Sequence, residues 1–398
     1  MTALVKSPDS GAETSARDRV RRVLEGVIGV PATEGNRIDV LRNGDEIFPA
    51  MLDAIEHGRH TIDFLTFVYW EGEIGREFAH RLADRAADGV RVRVVLDALG
   101  SRTMERSLID LMVSKGVLIR WFRPLRRFWA SVINHRTHRK VLVVDEAVGF
   151  TGGVGIADEW QGDARDATEW RDTHFRVAGP AVDGLRAAFL DNWAETDDEL
   201  FEDGVDRFPD QPKPGPSLVQ CVRGASESGW SDMATLFRTL LQLAQHQIRI
   251  TTPYFVPDAD LGDRLCAAAD RSVDVQVLLP GPVMDKRFVQ VAAEGEYERL
   301  LERGIAVWNF QPTMLHAKVM TVDGLVASVG SANFNPRSVT WDEEINVVAL
   351  DTELVTVLDD HFEADLERSI RIEPGRWRHR SVLQQAAERL IAPARRYF

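Results

Sequence analysis

The chain repeats itself. GVLIRWFRP at 116–124 returns as GIAVWNFQP at 304–312, and HRKVLVVD at 138–145 returns as HAKVMTVD at 316–323. The two offsets, 188 and 178, differ by a single ten-residue insertion in the first copy, between Pro124 and His138. A duplicated chain is expected to fold as two like units, and the seam between copies is where a shared cleft belongs.

Each copy carries an α/β pattern. Thr61 to Trp70 is β-branched and aromatic and predicts a buried strand. Ile74, Phe78, Leu82 and Ala86 recur at helical spacing, and Val90, Val92 and Val94 alternate as a strand does. The second copy predicts a helix from a Ser231 or Asp232 cap through Gln245, strands at 248–255 and 273–280, a helix at 295–304, and strands in AVWNF, KVMTVD and LVASVG. Residues 201–217, rich in Pro, Asp and Gly, read as the linker. The expected organisation is a polar lead-in (1–35), a first domain (36–200), the linker, a second domain (218–372) and a basic amphipathic tail (373–398). Each domain is expected to hold a mixed β-sheet flanked by helices.

The repeated block is His-x-Lys-x4-Asp followed by a small-residue pair. The candidate catalytic set is therefore His138, Lys140 and Asp145 with His316, Lys318 and Asp323. The chain has only six lysines, and two of them stand in these blocks, so the positions select a compact ammonium over a guanidinium. On a strand, residues i and i+2 face the same way, so each lysine points with its histidine. The aspartates lie seven positions on, an odd number, and read as turn-fixing residues rather than proton donors. An antiparallel return from a turn near 145–146 would set Gly153 opposite His138. The same construction sets Ser331 opposite His316, with Asn333 on that face. Gly153, Ser331 and Asn333 are thus candidate phosphate contacts.

Two histidines and two lysines around one phosphorus form a coherent set. One imidazole attacks a phosphodiester, and the other protonates the leaving alcohol and then deprotonates the acceptor. The lysines, with Asn333, stabilise the non-bridging oxygens. No metal and no cofactor is expected. Histidines with different protonation need acidic partners, for which Asp172 and Glu344 are the candidates.

These residues resemble the phospholipase D superfamily, whose two HKD motifs meet at a pseudo-twofold seam. TGGVGIADEW (151–160), TTPYFVPDADL (251–261) and LHAKVMTVDGLVASVGSANFNPRS (315–338) look most like bacterial cardiolipin synthases, in a short form without N-terminal membrane spans. The resemblance implies transfer of a phosphatidyl group, typically from phosphatidylglycerol, to another lipid hydroxyl. It assigns the histidine, lysine and asparagine roles to His138, Lys140, His316, Lys318 and Asn333, and the histidine-orienting roles to Asp172 and Glu344. One position departs: Gly155 stands where the superfamily usually has Asn. Hydrolysis by a phospholipase D or phosphodiesterase, a nuclease of the same superfamily, and a lipid-binding scaffold are the competing readings.

Composition narrows the choice. The chain carries 48 Lys+Arg against 62 Asp+Glu, a formal charge of −14, which disfavours nucleic acid as partner. Its 44% apolar content supports a large core. Two distant cysteines, Cys221 and Cys266, suggest neither a disulfide framework nor a zinc site and fit a reducing compartment. No apolar run is long enough to span a bilayer. The expectation is a cytoplasmic protein resting on the inner face of the cell membrane with anionic phospholipids as substrates. Contact is expected through 120–137, which carries Phe128 and Trp129 and lies in an acid-free stretch with eight Lys/Arg, and through 376–398.

Overall fold

Both copies build the same seven strands in the same lateral order. The computed structural model describes residues 10–124, 135–196, 208–224, 231–378 and 390. The first half contributes β1 (Thr33–Arg42), β2 (Thr61–Thr66), β3 (Arg91–Asp97), β4 (Leu118–Phe122), β5 (Val141–Val144), β6 (Val148–Gly152) and β7 (Thr173–Ala178). The second contributes β8 (Ser217–Gly224), β9 (Gln247–Thr251), β10 (Asp274–Pro280), β11 (Ala306–Phe310), β12 (Val319–Val322), β13 (Val326–Gly330), β14 (Glu344–Leu350) and an added edge strand, β15 (Ser369–Arg371). From the seam outward the orders are β1-β7-β6-β5-β2-β3-β4 and β8-β14-β13-β12-β9-β10-β11-β15. β1 and β8 pair antiparallel, Thr33 with Val219 and Asn36 with Ser217, so the halves share one 15-stranded sheet among the described residues.

The mixed character has a simple origin. β2-β3-β4 and β9-β10-β11 are parallel, with helices covering the crossovers. The motif hairpins, β5-β6 and β12-β13, and the strands beside them are antiparallel. The helix expected from Ile74 spans Glu73–Ala87 and buries Ile74, Phe78 and Leu82. Ser231 caps the helix Asp232–Leu243, accepting a hydrogen bond from the Ala234 amide. The helix expected at 295–304 begins earlier and spans Arg287–Glu302.

Apolar burial ties the halves together. The helices Val182–Ala194 and Thr352–Leu366 put Leu185, Phe189, Leu354, Val355 and Leu358 into one core with Val143, Val219, Val329 and Ile345. That core spans the seam, so neither half buries it alone. The polar lead-in, whose sequence allows a short helix, carries a longer one. Ser10–Ile28 is a 19-residue helix, and its Val20, Leu24 and Ile28 join the second half's core beside Leu236 and Leu240. Its apolar positions repeat at i and i+4, but the charges between them mask the pattern.

Two sequence expectations are corrected here. The strand from Thr61 ends at Thr66, and its counterpart from Gln247 ends at Thr251. Thr66 and Thr252 then donate through their hydroxyls to the carbonyls of Val68 and Tyr254, turning the chain out of the ladder. The motif hairpins pair Val141 with Thr151 and Val319 with Val329, one position away from the expected register, and stop there. His138 and His316 therefore precede the strands instead of lying within them.

Asp145 and Asp323 are the clearest duplicated device. Both take left-handed backbone conformations, with φ of 52° and 53°. The Asp145 carboxylate accepts from the amides of Arg59, His60 and Thr61. Asp323 accepts from those of Gln245, His246 and Gln247. These are the amides entering β2 and β9, the strands beside the motif hairpins. Neither aspartate reaches the catalytic centre, which corrects their inclusion among the catalytic candidates and agrees with the turn-fixing role. Asp145→Ala is expected to cost about 2–3 kcal/mol of stability through three amides left without a charged acceptor. Specific activity of the folded protein at low temperature should stay within about threefold of wild type by the same argument. Urea unfolding and initial rates measured together check this, and loss of activity without loss of stability would contradict it.

Candidate active site

The two histidines are held by backbone from the opposite half. The His138 amide donates to the Glu343 carbonyl at 2.9 Å, next to a parallel bridge between Thr137 and Glu343. The His316 amide donates to the Arg171 carbonyl at 2.7 Å, next to a bridge between Arg171 and Leu315. Each histidine segment thus lies against the start of the partner half's strand, β14 or β7. That placement decides which carboxylate meets which imidazole.

The side-chain pairs are crossed. His138 Nδ1 lies 3.0 Å from Glu344 Oε1 and 3.1 Å from Oε2, across 206 residues of chain. His316 Nδ1 lies 2.9 Å from Asp172 Oδ2, across 144 residues. Both carboxylates are fully buried. With Nδ1 committed to a carboxylate, each imidazole turns Nε2 toward the cavity. Both rings open into one cavity of 600 Å³, walled by Phe67, Trp70, Trp160, Trp170 and Tyr254. Lys140 Nζ donates to the His138 carbonyl at 2.7 Å; Lys318 Nζ donates to the His316 carbonyl at 2.5 Å and lies 2.9 Å from Nδ1 and 3.2 Å from Nε2 of that ring.

The phosphate-contact candidates fall out differently. Ser331 Oγ donates to Glu344 Oε2 at 2.5 Å and accepts from the Ile345 amide. A Cβ on Gly153 would stand 2.2 Å from Asp172 Oδ1. The structure thus corrects both: they seat the carboxylates, one by a hydroxyl and one by leaving room. The cause is the register, which moves both positions toward β14 and β7. Asn333 is buried, its Oδ1 has no partner among the described residues, and its amide lies 3.3 Å from Ser338 Oγ. At the equivalent Gly155 a Cβ would stand 2.7 Å from Val68 Cβ, so Val68 occupies the space that an asparagine would need.

Trp160 was not singled out from sequence. Its indole Nε1 donates to Asp172 Oδ2 at 2.8 Å, and its ring stands edge-on to His316 with centroids 5.2 Å apart. Trp170 packs on the same imidazole at 5.6 Å. The signal was the DEW that follows the first motif, but no local rule ties it to a histidine 156 residues on.

The cluster's electrostatics are lopsided. Burial works to raise Asp172, but the His316 hydrogen bond, the charges of His316 and Lys318 and the Thr173 amide outweigh it and hold the carboxyl at about 2. Burial pushes Glu344 up to about 7, only partly offset by Lys140, Ser331, Ser338 and Lys318. Burial and the charge of Lys140 lower His138 well below 6.5. Burial and Lys318 lower His316 to about 4 against the pull of Asp172. Burial also lowers Lys140 to about 8 and Lys318 to about 7. A phosphodiester anion entering the cavity supplies negative charge, which favours the protonated lysines.

The basic run ahead of His138 is partly internal. Arg136 is buried on Asp97 at 2.9 Å, and Arg139 is buried on the carbonyls of Ala188, Gly224 and Glu344. Arg123 pairs with Glu195 and Glu343. Arg123 and Arg136, expected to face a membrane, instead pair with carboxylates elsewhere in the chain, of which Asp97 and Glu343 are buried and Glu195 is exposed. Residues 125–134, with Phe128 and Trp129, and nearly all of 379–398 lie outside the described residues. Among the described residues no helix is long and apolar enough to cross a membrane.

Comparison with known proteins gives a consistent result. The family model described as "Cardiolipin synthase, PLD-like domain" matches residues 51–160 and 237–366. Cardiolipin synthase 1 of Bacillus anthracis is 33% identical over 376 residues, covering 92% of this chain and 74% of its own. Cardiolipin synthase of Listeria monocytogenes serotype 4a is 31% identical over 370 residues, covering 92% and 77%. The crystal structure of phosphatidylserine synthase from Haemophilus influenzae Rd KW20 superposes with a TM-score of 0.74 at 14% identity, over 96% of this chain and all of that one, which shows the shared fold. The chain belongs to the PLD-like cardiolipin synthase family.

Lys318 carries a testable pH dependence. Its pKa is about 7 in the folded protein against the usual 10.5. Between those values the unfolded chain binds more protons, so this group makes unfolding free energy rise with pH across that window. Urea unfolding should show wild type gaining stability relative to Lys318→Met from pH 7 to pH 10. A constant difference between the two proteins would contradict the buried, depressed ammonium.

Proposed function

We propose that this family member is a phosphatidyltransferase that moves a phosphatidyl group from one phospholipid, phosphatidylglycerol as donor, to a hydroxyl of another. The observation that carries the reading is the crossed pair of imidazole–carboxylate contacts opening into one aromatic-walled cavity. In the first step His138 Nε2 attacks phosphorus and a nitrogen–phosphorus bond forms. The phosphorus–oxygen bond to the headgroup breaks, and the leaving alcohol takes a proton from His316. In the second step His316 takes the proton of the acceptor hydroxyl as its oxygen displaces His138. Cardiolipin and glycerol are the products when phosphatidylglycerol serves in both steps.

The unequal carboxylates support this division of roles. Burial and Lys318 hold His316 at about 4, so the imidazolium that a general acid requires depends on the incoming phosphodiester anion acting together with the ionised Asp172. Burial raises Glu344 and lowers His138, which favours a neutral imidazole with a free lone pair, as a nucleophile requires. Lys140, Lys318 and the Asn333 amide are assigned to the non-bridging oxygens. Trp160 is a positioning residue that acts through Asp172.

A lipid substrate fits the surroundings better than a nucleic acid. Phe67, Trp70, Trp160, Trp170 and Tyr254 give the cavity an apolar wall, and the larger groove beside it carries Asp45, Asp53, Glu56, Glu71, Glu77, Asp158, Glu159 and Glu169 against Arg81 and Arg165, a net negative lining that repels a polyphosphate strand. Membrane contact is assigned to a peripheral, inner-leaflet position, with 125–134 and 379–398 as the segments to test.

Purified protein with phosphatidylglycerol vesicles is expected to yield cardiolipin and glycerol. Phosphatidic acid as the sole lipid product would make the protein a hydrolase. His138→Ala and His316→Ala should each reduce turnover by about 10³-fold or more, because the nucleophile and the proton carrier are each needed in both steps. Near-normal cardiolipin formation by either variant would refute the mechanism.

A further inference from the structure

Glu71, Glu159 and Asp285 all line a cavity that receives an anionic phosphodiester, and of these Asp285 is hydrogen-bonded to a tyrosine whose ring packs on His316. It is exposed and lies beside Lys286. The buried Tyr254 hydroxyl donates to Asp285 Oδ2 at 2.6 Å. Burial and Asp285 push the Tyr254 phenol well above its usual 10, so it stays a donor. The Tyr254 ring stands edge-on to His316, with centroids 6.3 Å apart and planes at 86°, and Lys286 Nζ lies 4.9 Å from its centroid. One carboxylate oxygen is thus anchored on the His316 side of the cavity. The other, Oδ1, accepts no hydrogen bond among the described residues.

We propose that Asp285 determines acceptor specificity by accepting a hydrogen bond from the hydroxyl next to the one that attacks phosphorus, so that the site selects a vicinal diol such as a glycerol headgroup. The proposal rests on the transfer reading above. In the second step the attacking hydroxyl gives its proton to His316, which places that oxygen at the imidazole. In a 1,2-diol the second hydroxyl is one carbon–carbon bond away, and Asp285 lines the same cavity, hydrogen-bonded to Tyr254, whose ring packs on His316. An ionised carboxylate only accepts, so it suits hydroxyl donors and repels phosphate oxygens. Lys286 offsets its charge toward the rest of the cavity. A site built around such a hydrogen bond rejects the analogue that lacks the hydroxyl far more strongly than shape alone does.

The test is a competition in a single mixture. The full chain is given phosphatidylglycerol vesicles with equal, excess concentrations of 1,2-propanediol, 1-propanol and 2-aminoethanol, and the phosphatidyl products are counted by mass spectrometry. Their ratio does not depend on how much enzyme is folded. Wild type is expected to favour the diol over 1-propanol by about tenfold or more, the scale of a hydrogen bond to a charged acceptor. Asp285→Ala should bring the ratio below about threefold, and Tyr254→Phe, which unpins the carboxylate, should give an intermediate value. An unchanged ratio in Asp285→Ala overturns the proposal, as does a wild-type preference for 2-aminoethanol, which would mean that Asp285 reads positive charge. If wild type makes only phosphatidic acid, the transfer reading itself falls and takes the proposal with it. That result is distinct from transfer that persists with unmoved selectivity.

Discussion

The imidazole of each motif histidine is held by a carboxylate from the other half of the chain. Glu344 reaches back to His138 and Asp172 reaches forward to His316, so neither copy holds a complete site. Everything structural around the seam serves that exchange. β1 and β8 join the sheets, and the helices Val182–Ala194 and Thr352–Leu366 share one core across the join. The backbone bridges at Thr137–Glu343 and Arg171–Leu315 then bring each histidine against the strand that carries its partner. Arg171 adds a buried ion pair to Asp365 of the other half at 2.9 Å. Pulling one buried partner away leaves an uncompensated charge, so the seam resists partial opening.

Duplication supplies two similar half-sites, and small differences make them unequal. Asp172 has the Trp160 indole and the Thr173 amide as donors, and it remains ionised beside His316. Glu344 has the Ser331 hydroxyl and stays closer to neutral beside His138. Gly155 yields its space to Val68, whereas the second half keeps Asn333. Both imidazoles are lowered by burial, and the ionised Asp172 makes His316 the ring more readily protonated when an anion enters. A perfectly symmetric pair would have to break symmetry through the substrate alone.

Much of this was legible in the amino-acid sequence, and the reasons are local. The odd spacing sends Asp145 and Asp323 to the turns, where they are found, whereas the lysines stand with their histidines ahead of the strands and not within them. The duplication itself announces two like halves. What was not legible depends on long-range register. The hairpin ladders stop at Val141 and Val319, which turned Gly153 and Ser331 from phosphate contacts into seats for carboxylates. The crossing of Asp172 and Glu344 follows from which strand lies beside which histidine, and no spacing within one half encodes it. Arg136 looked like surface charge because its partner, Asp97, is 39 residues away on another strand.

The central claim is that two imidazoles from opposite halves serve one phosphorus. The direct measurement uses phosphatidylglycerol labelled in its phosphate, an alkaline quench during turnover, and peptide mapping of the trapped phosphohistidine. The account predicts no more than one label per chain, on the peptide that contains His138. Two labels per chain, with His138 and His316 modified together, would mean two independent sites and would contradict it.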